Sequence, residues 1–210
     1  MSDETSAQAA KPRTDKYAHV CSPVTPRLGN RVTRWLGRAV LGAMGWSLKG
    51  SFPNEPKLVF IGAPHTSNWD FIIAMAAMQA AGVKASWMMK KEAFFWPLGG
   101  LFKKMGGVPI DRKAKMDLTT QMAQWFSSVD QGYLGITPEG TRSKVDKFKK
   151  GYLRIAYGAG VPVFLVGIHG PTKEVILDKI MPLTFDTEVD NRKIKAYYDK
   201  NFKGVKPENG

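Results

Sequence analysis

The chain of 210 residues holds one cysteine, Cys21. An intramolecular disulfide is excluded, and a reducing compartment is the natural expectation, with Cys21 itself inert. Only three histidines occur, His19, His65 and His169, and they form no cluster with metal-ligand spacing, so no metal is expected. Acidic residues are few, 18 against 31 Lys and Arg, which gives a net charge of +13 and favours anionic partners. No apolar run reaches eighteen residues, so no membrane-spanning helix is predicted. Residues 1–26 are polar, contain Pro12, Pro23 and Pro26, and lack the apolar centre of a signal peptide. They are expected to form a disordered tail. Helix-turn-helix, zinc-finger and aromatic RNA-binding signatures are absent, and the basic residues are spread along the chain, so no nucleic acid is expected.

What is present reads as one α/β domain over residues 27–210. Apolar runs at Lys57–Ala63, Lys84–Met89, Gly132–Thr137 and Val161–Ile168 predict strands, with a further short one at Val175–Leu177. Helices are predicted over Phe71–Ala81, Met116–Val129, Tyr152–Tyr157 and Val189–Phe202. This alternation implies a mostly parallel or mixed central sheet flanked by helices. Ahead of it, Arg27–Lys49 predicts an amphipathic helical segment, basic and apolar together, able to pack on a core or lie in a membrane interface. The aromatic run Phe94–Phe102 reads first as core, and alternatively as a groove wall or a membrane contact.

The most informative stretch is Pro64-His-Thr-Ser-Asn-Trp-Asp70. It sets an imidazole and a carboxylate five positions apart, just after a predicted strand, as a general base and its orienting acid would be. With three His and eleven Asp in the chain, this spacing arises by chance about 0.16 times. Ser67 and Asp70 also have the spacing of a capping box ahead of an apolar helix. The two readings are compatible, because a first-turn Asp can reach back to a ring in the preceding loop. A second stretch, Pro138-Glu-Gly-Thr-Arg-Ser143, puts a carboxylate, a turn glycine and an arginine after an apolar run, which suits recognition of an anion. Together they suggest an enzyme that deprotonates a hydroxyl on a negatively charged acceptor. His169 reads as a structural or surface residue.

Four segments fall in an order that resembles the glycerophospholipid acyltransferases, the lysophosphatidic acid acyltransferase-like enzymes, over about residues 56–170. His65 and Asp70 match an H-x4-D block. Gly107, Ile110 and Arg112 match a Gly-x-x-[Phe/Ile]-x-Arg block. Pro138, Glu139, Gly140, Thr141 and Arg142 match Pro-Glu-Gly-Thr-Arg, and Val161, Pro162 and Val163 match an apolar Val-Pro-Val strand. Two positions depart from the pattern: Pro64 stands where Asn is usual before the His, and Thr137 where Phe is frequent before the third block.

The resemblance implies that His65 takes a proton from an acceptor hydroxyl, which then attacks an acyl thioester, while Asp70 holds the imidazole. It implies that Arg112 and Arg142 clamp the acceptor phosphate, with Glu139 orienting an Arg or meeting an acceptor hydroxyl, beside Gly140 and Thr141. The implied acceptor is a lysophospholipid, first of all 1-acyl-glycerol-3-phosphate, in phospholipid biosynthesis. The donor is acyl-coenzyme A or acyl carrier protein, with no bound cofactor. Peripheral attachment to the anionic cytoplasmic face of the cell membrane is expected. Alternatives are another lyso-lipid or hydroxylated acceptor, and a non-catalytic basic protein that binds membrane or nucleic acid.

Overall fold

The computed structural model describes residues 17–111, 113–114, 116–141 and 143–205. The elements in chain order are α1 (Arg31–Ala43), β1 (Ser47–Gly50), β2 (Lys57–Ala63), α2 (Asn68–Ala81), β3 (Ala85–Lys90), α3 (Leu98–Met105) and β4 (Gly107–Ile110). They continue with α4 (Leu118–Ser127), β5 (Gly132–Ile136), α5 (Gly151–Ala159), β6 (Val163–His169), β7 (Glu174–Ile180) and α6 (Thr187–Asn201). The strands form one mixed sheet in the order β1-β7-β6-β2-β5-β3-β4. The five strands from β6 to β4 are parallel; β7 runs antiparallel to β6 and pairs in parallel with β1. The predicted α/β architecture is thus the observed one.

Strand β2 lies between β5 and β6, and successive side chains enter different cores. Leu58 belongs to the core with α1 and α2, and Val59, Ile61 and Ala63 to the core with α4, α5 and α6. A strand covered on both faces needs no polar alternation, which is why its sequence reads as an unbroken apolar run. Helix α2 is apolar nearly all round, although Trp69, Phe71 and Ile72 in its first turns stay exposed. It packs against α1 on one side and the sheet on another, and Ile73, Ala77 and Ala80 are fully buried. Gly37 permits the close α1–α2 approach: a Cβ there would fall 2.5 Å from the Ala80 nitrogen and 2.9 Å from the Ala76 oxygen.

Several boundaries correct the sequence expectations. The segment 27–49 is not one helix. Asn30 caps α1 by accepting from the N–H groups of Val32 and Thr33, and the helix ends at Ala43. Gly45, at a left-handed φ of +71°, turns the chain out of the helix, and Ser47–Gly50 pairs with β7, which satisfies backbone groups at that sheet edge. Strand β6 begins at Val163, since Pro162 has no N–H to donate; its carbonyl instead accepts from Val59 at 3.0 Å. Residues 17–26 are not a disordered tail: Tyr17, Val20 and Thr25 are buried. The Val20 carbonyl accepts from Phe52, and Thr25 receives the Ser22 N–H at 2.9 Å. The remainder of that expectation, residues 1–16, lies outside the described residues. The Phe94–Phe102 run is not mainly core either. Phe95, Trp96, Leu98 and Leu101 are exposed, Trp96 to 91%.

Candidate active site

His65 follows the end of β2 by two residues, at the carboxyl edge of the parallel strands, where open α/β sheets place their ligand-binding loops. The chain enters α2 at once. Ser67 is the N-cap, its hydroxyl accepting from the Trp69 N–H at 3.1 Å, and Asp70 completes a capping box from the third helical position. The capping reading of the sequence is therefore correct, and it is also what builds the site.

Asp70 is 1% exposed on its side chain. Its Oδ2 accepts the backbone N–H of Thr66 at 2.5 Å and of Ser67 at 2.7 Å. Oδ1 accepts the Ser67 hydroxyl at 3.4 Å. The same Oδ2 lies 3.3 Å from His65 Nδ1. An ionised carboxylate only accepts hydrogen bonds, so this contact favours the tautomer with its proton on Nδ1. Nε2 is then the unprotonated nitrogen, on a ring that is 20% exposed. The position of Asp70 at the start of α2 adds the favourable field of the helix N-terminus. An imidazole is thus held by a buried carboxylate that two amides fix in place.

The third block reaches this loop directly. Glu139 Oε2 accepts the backbone N–H of His65 at 2.6 Å. Burial raises the Glu139 carboxyl above its ordinary range; the bond from His65 and the charges of His65 and Lys195 oppose that rise without cancelling it. The sequence pointed to an Arg or an acceptor hydroxyl as the partner of Glu139. Among the described residues its partner is the main chain of the proposed base, a contact that spacing along the sequence could not show. Gly140 takes a left-handed φ of +63°, the freedom a turn glycine supplies. Lys149 closes that turn through its N–H to the Pro138 carbonyl at 2.8 Å, and its Nζ is 2.5 Å from where a Gly140 Cβ would sit. Lys149 is thus a cation at the motif that the sequence reading did not single out, its signal being the Lys-rich run 144–150.

Of the remaining sequence-derived residues, Thr141 is exposed and its hydroxyl accepts from Ser143 at 3.4 Å. Arg112 and Arg142 lie outside the described residues. Asp111 meets Lys91 Nζ at 3.5 Å and accepts from Lys113 N–H. His169 has a structural partner, accepting the Lys203 N–H on Nδ1 at 3.2 Å. Among the described residues no group of three or more His, Cys, Asp or Glu is placed to hold a metal ion.

Fold and site define a class first: an α/β protein with a histidine–carboxylate pair at the carboxyl edge of its sheet, tied to a Pro-Glu-Gly-Thr turn. The model of the acyltransferase family matches residues 48–169, which include every part of that arrangement. The chain belongs to the acyltransferase family. A probable 1-acyl-sn-glycerol-3-phosphate acyltransferase of Mycoplasma pneumoniae is 34% identical over 124 residues, or 56% of this chain. The match spans about half, 47%, of that relative's length. The crystal structure of the 1-acyl-sn-glycerophosphate (LPA) acyltransferase PlsC from Thermotoga maritima has a similar fold. The TM-score is 0.55 at 18% identity, over 82% of this chain and 81% of that one.

Proposed function

We propose that this protein transfers a fatty acyl group from an acyl thioester, on coenzyme A or acyl carrier protein, to the hydroxyl of a lysophospholipid, 1-acyl-glycerol-3-phosphate foremost. The observation that carries the reading is the His65–Asp70 pair, with Asp70 Oδ2 shared between the ring and two backbone amides. Family membership and the name of the Mycoplasma relative supply the acyl chemistry and the acceptor class.

In this mechanism His65 Nε2 accepts the proton of the acceptor hydroxyl as that oxygen attacks the thioester carbonyl carbon. Asp70 stabilises the imidazolium that results. The tetrahedral intermediate collapses by breaking the carbon–sulfur bond, and the His65 proton passes to the leaving thiolate. Glu139 keeps the His65 main chain in register. Arg112, Arg142, Thr141 and the Gly140 turn are the proposed acceptor subsite, with the two guanidiniums matched to phosphate. The test is thiol release from a long-chain acyl-coenzyme A or acyl carrier protein, with and without lysophosphatidic acid. Acceptor-dependent release should fall by about 10²–10⁴-fold in His65→Ala. Equal release by that variant would sink the assignment of the base.

Membrane attachment belongs to the same reading. Val32, Trp35 and Leu36 of α1, Trp69, Phe71 and Ile72 of α2, and Phe95, Trp96 and Leu101 around α3 are all exposed. Trp69 and Phe71 are within six residues of the proposed base, so the α2 part of this apolar exposure lies next to the site in the chain. Arg31 adds positive charge to α1, and Lys103 and Lys104 add it to α3. No helix of the described residues is long and apolar enough to cross a membrane. The arrangement fits peripheral docking on anionic lipid, as on the cytoplasmic face of a cell membrane. Co-sedimentation with phosphatidylglycerol vesicles should weaken by about ten-fold in Trp35→Ala/Trp96→Ala, from the loss of two interfacial aromatics. Undiminished binding would remove this surface from the account.

A further inference from the structure

We propose that the C-terminal strap, Phe202–Val205, positions the His65 loop, with Gly204 as its point of contact. The strap lies outside the 48–169 region that the family model matches. Phe202 leaves α6 in an extended conformation and is buried. Its ring lies over β6, where a Cβ on Gly167 would meet it at 2.0 Å, and it packs against Tyr198 at 5.3 Å between ring centroids. Two hydrogen bonds then fasten the next residue. The Lys203 carbonyl accepts from Gly170 N–H at 2.7 Å, and the Lys203 N–H donates to His169 Nδ1 at 3.2 Å.

Gly204 follows and is itself buried. A Cβ at Gly204 would fall 2.3 Å from Thr66 Cγ2 and 2.6 Å from Thr66 Oγ1. The glycine is therefore required by space; the strap's main chain rests directly on the Thr66 side chain. Gly204 has little room to retreat, because its own carbonyl oxygen is 2.3 Å from where a Gly170 Cβ would sit. Thr66 is β-branched and 3% exposed, so it has few ways to yield except by moving its backbone. Its N–H is one of the two that fix Asp70 Oδ2, the oxygen facing His65 Nδ1. Pressure on Thr66 thus reaches the base within two contacts. The strap is a positioning element: it reaches Thr66, and through the Thr66 N–H it bears on the pair.

The kinetic part of the test rests on the acyl-transfer reading, and a second readout does not. In Gly204→Ala, kcat for acyl transfer should fall about 10- to 100-fold, the scale of a sub-ångström misplacement near a reacting group, with KM for both substrates within about two-fold of wild type. Combining it with Thr66→Ala, which removes the atoms in collision, should return kcat to within about three-fold of Thr66→Ala alone. Independently of activity, the Thr66 amide proton should lose its downfield shift and exchange faster with solvent in Gly204→Ala. A chain ending at Lys203 removes the contact without adding volume, and should show the same faster exchange at an unchanged far-ultraviolet spectrum. Unchanged kcat and exchange in Gly204→Ala, a loss confined to KM, or no rescue by Thr66→Ala would each overturn the proposal. A wild-type protein without acyl transfer would overturn the functional reading, and the exchange measurement would still decide the strap.

Discussion

Asp70 and Asp190 are two solutions to one local problem. Each sits in the first turn of a helix, is 1% exposed, and turns its carboxylate back onto the amides of the preceding loop. Asp70 holds Thr66 and Ser67; Asp190 holds Thr184 at 2.8 Å and Phe185 at 3.1 Å. The difference is the last partner. Asp190 is completed by the Tyr157 hydroxyl at 2.7 Å and the Thr184 hydroxyl at 2.9 Å, groups that stay neutral. Asp70 is completed by an imidazole on a partly open ring. One arrangement only ties a loop to a helix. The other ties a loop to a helix and favours one tautomer of the imidazole proposed as the base. What sets the two capping carboxylates apart is therefore what else each touches.

The sharpest way to break this comparison is to neutralise both carboxylates in parallel. Asp70→Asn should lower kcat about 10²–10⁴-fold, because the amide no longer stabilises an imidazolium. Asp190→Asn should leave kcat within about two-fold of wild type and cost about 1–2 kcal/mol of stability, through weakened bonds from the Thr184 and Phe185 N–H groups. The pH dependence separates them further. Burial opposes ionisation of Asp190, but the bonds from Tyr157, Thr184 and Phe185 outweigh it and hold the carboxyl below the ordinary 3.8. A carboxyl depressed in the fold adds stability that is full above its unfolded value and disappears as pH falls through the folded one. The stability gap between wild type and Asp190→Asn should therefore close below about pH 3.8 in urea titrations. A kcat loss in Asp190→Asn as deep as in Asp70→Asn would show that the two carboxylates are not functionally distinct.

Much of this was legible in the sequence because it depends on neighbours in the chain. The Ser67–Asp70 box, the five-residue offset from His65 to Asp70 and the doubly buried β2 are all local patterns. The boundary of α1 was not legible, since its outcome turned on β7 offering Ser47–Gly50 an edge more than 120 residues away. Tyr17 and Val20 looked like tail for the same reason: their burial depends on Phe52 and the α1 helix, not on their polar neighbours. In the site, the block order identified His65, Asp70 and Glu139, but not that Glu139 holds the His65 backbone across 74 residues. The exposed Phe95 and Trp96 were the opposite error. An aromatic run resembles core until the fold fails to cover it.

Glu139 tests the comparison at its finest. It also accepts a backbone N–H beside the base, yet its environment differs in sign from that of Asp190. Burial is the largest influence on its carboxyl and leaves it above the ordinary 4.5. A carboxyl raised in the fold binds its proton more tightly there than in the unfolded chain. Its contribution to stability is greatest at low pH and declines as pH rises from 4.5 through the folded value. Above the folded value the ionised group is therefore a small burden on the fold. Glu139→Gln keeps an acceptor for the His65 N–H and removes that burden, so its Tm at pH 7 should equal or exceed that of wild type. The neutral acceptor is weaker by about 1 kcal/mol, which should lower kcat by about five-fold through a looser His65 main chain. A much deeper loss at unchanged Tm would mean that the charge itself acts on the reaction. Glu139 would then stand with Asp70 as part of the chemistry, and the line between positioning and reacting carboxylates would run elsewhere in the site.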